Sequence, residues 1–166
     1  MDSEYLPTAV ALIQQHFPLE EARKITNVYD SLRHFDPTSL PQSIIHGDLV
    51  SFNCLFVDTT LSAIIDWEEV AVGASLIDFA FCLLNFCFPQ NTFQPSLYQS
   101  LLDGYMQVRS FRQDELELLE TAVKYVGLTG SAYFLLQFGL YYPDEQRKKW
   151  HAFFWNMGLD TWKISP

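Results

Sequence analysis

Apolar residues recur at helical spacing from Tyr5 to His16, which predicts an amphipathic helix. A second helix is expected over Leu19 to Phe35, entered at Pro18 and stopped at Asp36-Pro37. Its first turn holds Glu20 and Glu21, where the helix dipole favours acids. The period then shortens. Ser43 to His46 reads as a short apolar strand, and Asn53 to Val57 and Leu61 to Ile65 flank Asp58-Thr59-Thr60 as a hairpin. A loop is expected at Val72-Gly73-Ala74, followed by a buried helix over Leu76 to Phe86. The remainder reads as helical over about Pro95 to Val108, Gln113 to Tyr142 and Asp144 to Met157, with Gly127 and Gly130 as candidate breaks in the long middle stretch. Strands occur in one short block among helices. The fold class is therefore α+β, predominantly α-helical, and not an alternating βαβ sheet.

Composition adds constraints. The chain has 166 residues, about one domain's worth. It is 49% hydrophobic and 16% aromatic but only 18% charged, so disorder is excluded. Twenty acidic residues against ten basic give a net charge of −10. That argues against nucleic acid, whose phosphates need Lys and Arg, and equally against anionic membrane. A chain short of charge and rich in aromatic rings has either a large core or an apolar face meant to meet something else. Cys54, Cys82 and Cys87 are odd in number and lack CxxC spacing, which reads as reduced thiols. The first residues, MDSEYLPTAVALIQQ, have no basic region and do not read as a secretory signal. The apolar run Leu76 to Phe88 is interrupted by Asp78 and Asn85 and falls short of a membrane span. A cytoplasmic location is the expectation.

The chemistry concentrates in His46-Gly47-Asp48-Leu49-Val50-Ser51-Phe52-Asn53, followed by Ile64-Ile65-Asp66-Trp67-Glu68. A strand ends at His46 and a loop presents Asp48. Asn53 opens the next strand, and Asp66 ends its return, so two carboxylates and an amide oxygen converge at one end of a small sheet. Hard oxygen donors of this kind suit Mg²⁺. Taken singly, each Asp reads as an ordinary turn carboxylate. Together the residues follow the HxDLxxxN loop and metal-binding Asp of kinase-type phosphoryl transfer.

At these residues the chain resembles the C-terminal lobe of the aminoglycoside phosphotransferase and choline kinase superfamily, the small-molecule branch of the protein-kinase-like fold. LPQSIIHGDL, NCLFVDTTLSAIIDW, IDFAFCLLNFCF and LLDGYMQVRSFRQDELELLETAV are most similar to homoserine kinases of type II, over about Leu32 to Tyr142. The resemblance implies that Asp48 is the catalytic base and that Asn53 and Asp66 hold Mg²⁺. It implies that His46 packs under the loop and that Asp78 ties the loop backbone down. Trp67 is expected to pack, while Glu68 and Glu69 either touch substrate or face water. The chain departs from the family at Ser51-Phe52, and it has no Arg or Lys between Lys124 and Arg147. The second departure puts homoserine itself in question as the acceptor.

The expected organisation is a single kinase-like C-lobe. Residues 1–42 form N-terminal helices, 43–78 the catalytic and metal-binding hairpin region, and 79–166 a helical subdomain. No Gly-rich phosphate loop or strand Lys precedes His46, so the nucleotide-binding lobe is expected to be absent. ATP would then be co-substrate only where such a lobe is supplied, and little turnover is expected of the chain alone. The partners expected are a small-molecule substrate and either a separate N-lobe or a second copy through an uncovered apolar face. The alternatives are a non-catalytic binding or oligomerising module, an aminoglycoside- or choline-type kinase lobe, and a metal-dependent hydrolase. Gln113 to Glu120 reads as a solvated acidic face. The aromatic stripe Tyr133, Phe134, Phe138, Tyr141 and Tyr142 reads as core, as do His151, Phe153, Phe154 and Trp155. His16, His34 and His151 have no partner at zinc-ligand spacing.

Overall fold

The computed structural model describes residues 5–160. Asp2 and Glu4, part of the opening read above, lie outside the described residues. The element order is α1 (Tyr5–His16), α2 (Leu19–Ser31), β1 (Gln42–Ile45), β2 (Cys54–Val57), β3 (Thr60–Ile64), β4 (Ala71–Ala74), α3 (Ser75–Phe86), α4 (Pro95–Val108), α5 (Gln113–Leu136) and α6 (Glu145–Trp155). This is the expected α+β, mainly helical class. Among the described residues no helix is long and apolar enough to cross a membrane.

The chain divides into two compact units, one from the stretch up to Phe35 together with Lys124 onward, the other Asp36–Val123. The first is helical. Leu6, Val10 and Ile13 of α1 and Ile25 of α2 bury against Leu128 and Leu135 from the second half of α5. Two glycines let helices close there. A Cβ on Gly127 would lie 2.6 Å from Gly158 Cα, and one on Gly130 would lie 2.5 Å from the Phe154 ring. Asp144 caps α6 by accepting from the Gln146 and Arg147 amides, at 2.9 and 3.1 Å.

The second unit holds two separate antiparallel ribbons, β1 with β4 and β2 with β3. In the first, Ile44 stands opposite Val72 and Ile45 opposite Ala71. Helix α3 is buried along most of its length through Leu76, Phe79, Ala80, Leu83 and Leu84. Phe79 meets Tyr105 at 4.9 Å and Phe111 at 5.0 Å, edge to face, and those two rings stack at 4.7 Å.

Several expectations are corrected. Val72-Gly73-Ala74 is strand β4 and not a loop. A Cβ at Gly73 would meet Ile45 Cδ1 at 2.5 Å, so the Ile45 side chain would have to shift to admit one. Helix α2 ends at Ser31, where the Leu32, Arg33 and Phe35 amides turn back on the last carbonyls. Helix α5 runs unbroken past Gly127 and Gly130 and loosens into a π-helical turn over Gln137–Tyr141. The aromatic stripe is core only in part: Phe134 stacks on Phe138 and Phe154, whereas Tyr133, Tyr141 and Tyr142 are exposed. Within the acidic run Gln113 to Glu120, Glu115 is fully buried. The cysteines are free thiols, with Cys82 and Cys87 buried and Cys54 half-buried.

Candidate active site

The candidate residues all lie in the unit Asp36–Val123. Strand β1 delivers the chain to buried His46, and Gly47 then takes φ +82°, a conformation that favours glycine. A Cβ at Gly47 would sit 2.7 Å from the Glu69 carbonyl oxygen, so the loop of Asp48 and the turn after Asp66 touch backbone to backbone. Asp78, in the first turn of α3, spans the loop from below. Its two carboxylate oxygens accept from the His46 and Gly47 amides at 3.1 and 3.0 Å. A carboxylate that accepts two backbone N–H groups makes charge-assisted bonds, stronger than neutral ones.

His46 is hydrogen-bonded at both ring nitrogens. The Asp48 amide donates to its Nδ1 at 3.3 Å, which leaves Nε2–H to donate to the Ile65 carbonyl at 3.0 Å. Its ring lies 4.6 Å from that of Trp67, and Trp67 Nε1 donates to the Ile64 carbonyl at 2.9 Å. The histidine thus ties the Asp48 loop to the end of β3. Trp67 packs on this histidine while half its surface stays open, at 49% exposure.

Asn53 is buried and its amide faces Asp48. Nδ2 donates to the Asp48 carbonyl at 2.8 Å and to its carboxylate Oδ2 at 3.3 Å. The Asn53 carbonyl accepts from the Ile65 amide at 2.9 Å, which locks the base of the hairpin. Asp66 follows with φ 64° and ψ 60°, a left-handed conformation that Asp tolerates, and turns the chain from β3 into the short helical turn Trp67–Glu69. Asp66, Glu68 and Glu69 are exposed.

Burial pushes the half-buried Asp48 carboxyl above the usual carboxylate range. The Asn53 hydrogen bond opposes that shift, and the nearby Asp66 and Glu69 charges add to it. The structure therefore brings Asp48, Asn53 and Asp66 to one end of the hairpin, with His46 and Asp78 behind them. Glu69 borders the group through its charge, and Glu68 is exposed beside it. Among the described residues no three His, Cys, Asp or Glu side chains come close enough to hold a metal between them.

Sequence reasoning missed a second polar layer beneath this loop. Ser43 Oγ and Ser75 Oγ are 2.8 Å apart, Tyr105 lines the same groove as Ser75, and Arg109 Nη1 donates to the Tyr105 hydroxyl at 3.0 Å. Arg109 Nη2 then reaches both oxygens of buried Glu115 at 2.8 and 2.9 Å. The one signal in the sequence was Arg109 placed just ahead of the α5 acids.

The sequence profile of the phosphotransferase enzyme family matches residues 3–117. Among curated relatives, the homoserine kinase of Beijerinckia indica subsp. indica is 37% identical over 99 residues, covering 59% of this chain and 31% of that protein. The homoserine kinase of Azorhizobium caulinodans is 38% identical over 84 residues, covering 50% and 26%. That of Rhodopseudomonas palustris BisB18 is 35% identical over 91 residues, covering 54% and 28%. The chain thus spans between a quarter and a third of the length of the curated relatives it matches. The profile match takes in all of β1 to β4 and α3, the elements that build the clamped loop and its hairpin. By this match over most of its length, the chain belongs to the phosphotransferase enzyme family.

Proposed function

We propose that this chain is the C-terminal lobe of a small-molecule kinase of protein-kinase-like fold. The reaction is transfer of the ATP γ-phosphoryl group, with Mg²⁺, to a hydroxyl of a small amino compound, homoserine-like in the first instance. One observation supports this most strongly: the Asn53 amide bridges to the Asp48 carboxylate at the base of the hairpin that ends in Asp66.

In this reading Asp48 accepts the proton of the attacking hydroxyl. Its raised pKa strengthens it as a base. Asp78 and His46 fix the loop from below and from the side, so Asp48 is held before substrate arrives. Asn53 orients Asp48 with its amide N–H₂, and its amide oxygen together with the exposed Asp66 carboxylate would hold Mg²⁺. One amide and one carboxylate oxygen suit Mg²⁺, which takes its other ligands from phosphate oxygens and water. When bound, the ion supplies charge neutralisation at the phosphates. Glu68 and Glu69, both exposed, would either meet the ammonium group of an amino acceptor or face water.

The positive partner of the phosphates comes from outside Asp36–Val123. That unit carries twelve carboxylates and two guanidinium groups, a difference equal to the whole net charge of −10. Its two arginines are engaged, Arg109 by Glu115 and Arg112 by Asp114. Turnover by this chain alone is accordingly expected to be slow. Transfer of labelled phosphate from ATP to homoserine should fall a further ~100-fold or more in Asp48→Asn; transfer unchanged in that variant overturns the reading.

A second reading, a docking module, is favoured by the β2–β3 ribbon, where Leu55, Phe56, Val57 and Leu61 are exposed together with neighbouring Phe52. The charge of this unit sets two copies against each other and favours a cationic polypeptide, such as a separate N-lobe, over a homodimer. Light scattering distinguishes the two, since a dimer stable in low salt contradicts that preference.

A further inference from the structure

Asp78 holds the Asp48 loop by two hydrogen bonds, so the loop can be no better placed than α3 itself. Helix α3 starts at Ser75, one turn before Asp78, and that start is held on two sides. The Ser75 amide donates to the Pro41 carbonyl at 3.1 Å, and its hydroxyl lies 2.8 Å from Ser43 Oγ. Both contacts fasten it to the approach to β1, the strand that delivers His46. On the other side Ser75 shares a groove wall with Tyr105 of α4, whose ring meets Phe79 of α3 at 4.9 Å. Tyr105 in turn receives Arg109, and Arg109 is seated on Glu115, whose second oxygen also accepts the Arg112 amide at 2.9 Å.

This line of contacts is costly to build. Glu115 is fully buried, and a buried carboxylate is tolerated only with its partners in place. The ring of Tyr105 is already packed by Phe79 and Phe111, so its hydroxyl is not needed to fill space. Ser75, Asp78, Tyr105 and Arg109 share the wall of one largely apolar groove of about 570 Å³ under the loop. In such surroundings a hydroxyl with a hydrogen-bond partner fixes position more firmly than one in water.

We infer that Tyr105 and Ser75 are positioning residues for the Asp48 loop, acting through the start of α3 and Asp78, with the Arg109–Glu115 pair as their anchor. This rests on the reading of Asp48 as the base only for its catalytic meaning; the mechanical coupling stands apart from it.

The test is native-state amide exchange followed by NMR in Tyr105→Phe and Ser75→Ala, with Ser75→Thr as the conservative rescue. Gly47 N–H, which Asp78 accepts, is the reporter, and the amide of Leu83 deep in α3 reports global opening. The expected result is about tenfold faster exchange at Gly47 in both variants, little change at Leu83, and recovery in Ser75→Thr. Equal acceleration at Gly47 and Leu83 would mean that the hydroxyls only add stability and would overturn the inference, as would an unchanged Gly47. The readout does not depend on turnover. A changed Gly47 in a chain whose Asp48→Asn variant transfers phosphate normally upholds the coupling and sinks the functional reading alone.

Discussion

Gly47 lets the Asp48 loop and the turn after Asp66 approach closely because it lacks a side chain. Its φ of +82° is open to glycine, and the Glu69 carbonyl occupies the space a Cβ would take. Gly47→Ala is expected to cost about 1–3 kcal/mol and to loosen the contact between the Asp48 and Asp66 turns. Urea denaturation gives the energy, and loss of dispersion at the Asp48 and Glu69 amides gives the loosening. At this scale much was legible beforehand. Asp48, Asn53 and Asp66 are close in sequence or on neighbouring strands, so spacing could gather them, whereas Asp78 and the packing role of His46 came only with the family resemblance. Glu115 and Tyr105 were not legible, because their partners lie across a turn and on another helix. An acid in an acidic run looks solvated until the arginine that neutralises it is placed.

Among the elements, glycines again separate what sequence can and cannot specify. Gly104 in α4 is exposed and a Cβ there meets nothing within 4 Å, whereas Gly130 in α5 faces the Phe154 ring. Gly104→Ala should stabilise the chain by up to about 1 kcal/mol, through helix propensity. Gly130→Ala should destabilise it by about 1–3 kcal/mol, through overpacking. Chemical denaturation of the two variants reads both signs. A propensity argument treats these glycines alike, which is why α5 carried a candidate break that the packing abolishes. Strand β4 was read as a loop because its four residues lack a pattern of their own and become a strand only by pairing with β1.

His151 of α6 supplies the pH dependence. Its Nδ1 lies 2.7 Å from Ser131 Oγ and its Nε2 3.6 Å from Glu21 Oε1. Burial holds the imidazole pKa below its ordinary value, with the Ser131 backbone and Glu21 opposing and Lys148 assisting. The folded chain therefore binds this proton less readily than the unfolded chain. The stability it contributes is complete above about pH 6.5 and is lost as pH falls through the folded value. Denaturation midpoints measured between pH 7.5 and 5 should fall less steeply in His151→Gln than in the parent chain.

Across the whole molecule, charge and apolar surface tell one story. The acids gather in Asp36–Val123, the unit that also exposes Phe52, Leu55, Phe56 and Val57, while the remaining residues balance eight acids with eight bases. The low charge and high aromatic content of the sequence left a large core and an uncovered face both open; the exposed apolar side chains named here lie on the hairpin and just before it. Under the proposed function, Asn53 and Asp66 would hold a phosphate-bound divalent cation next to Asp48. Titration of the chain with Mn²⁺ and ATP, followed by paramagnetic broadening of amide resonances, checks this. The expected result is broadening centred on Asn53, Asp66 and Gly47 that disappears in Asp66→Ala. Broadening elsewhere, or broadening at these residues that survives Asp66→Ala, would contradict it.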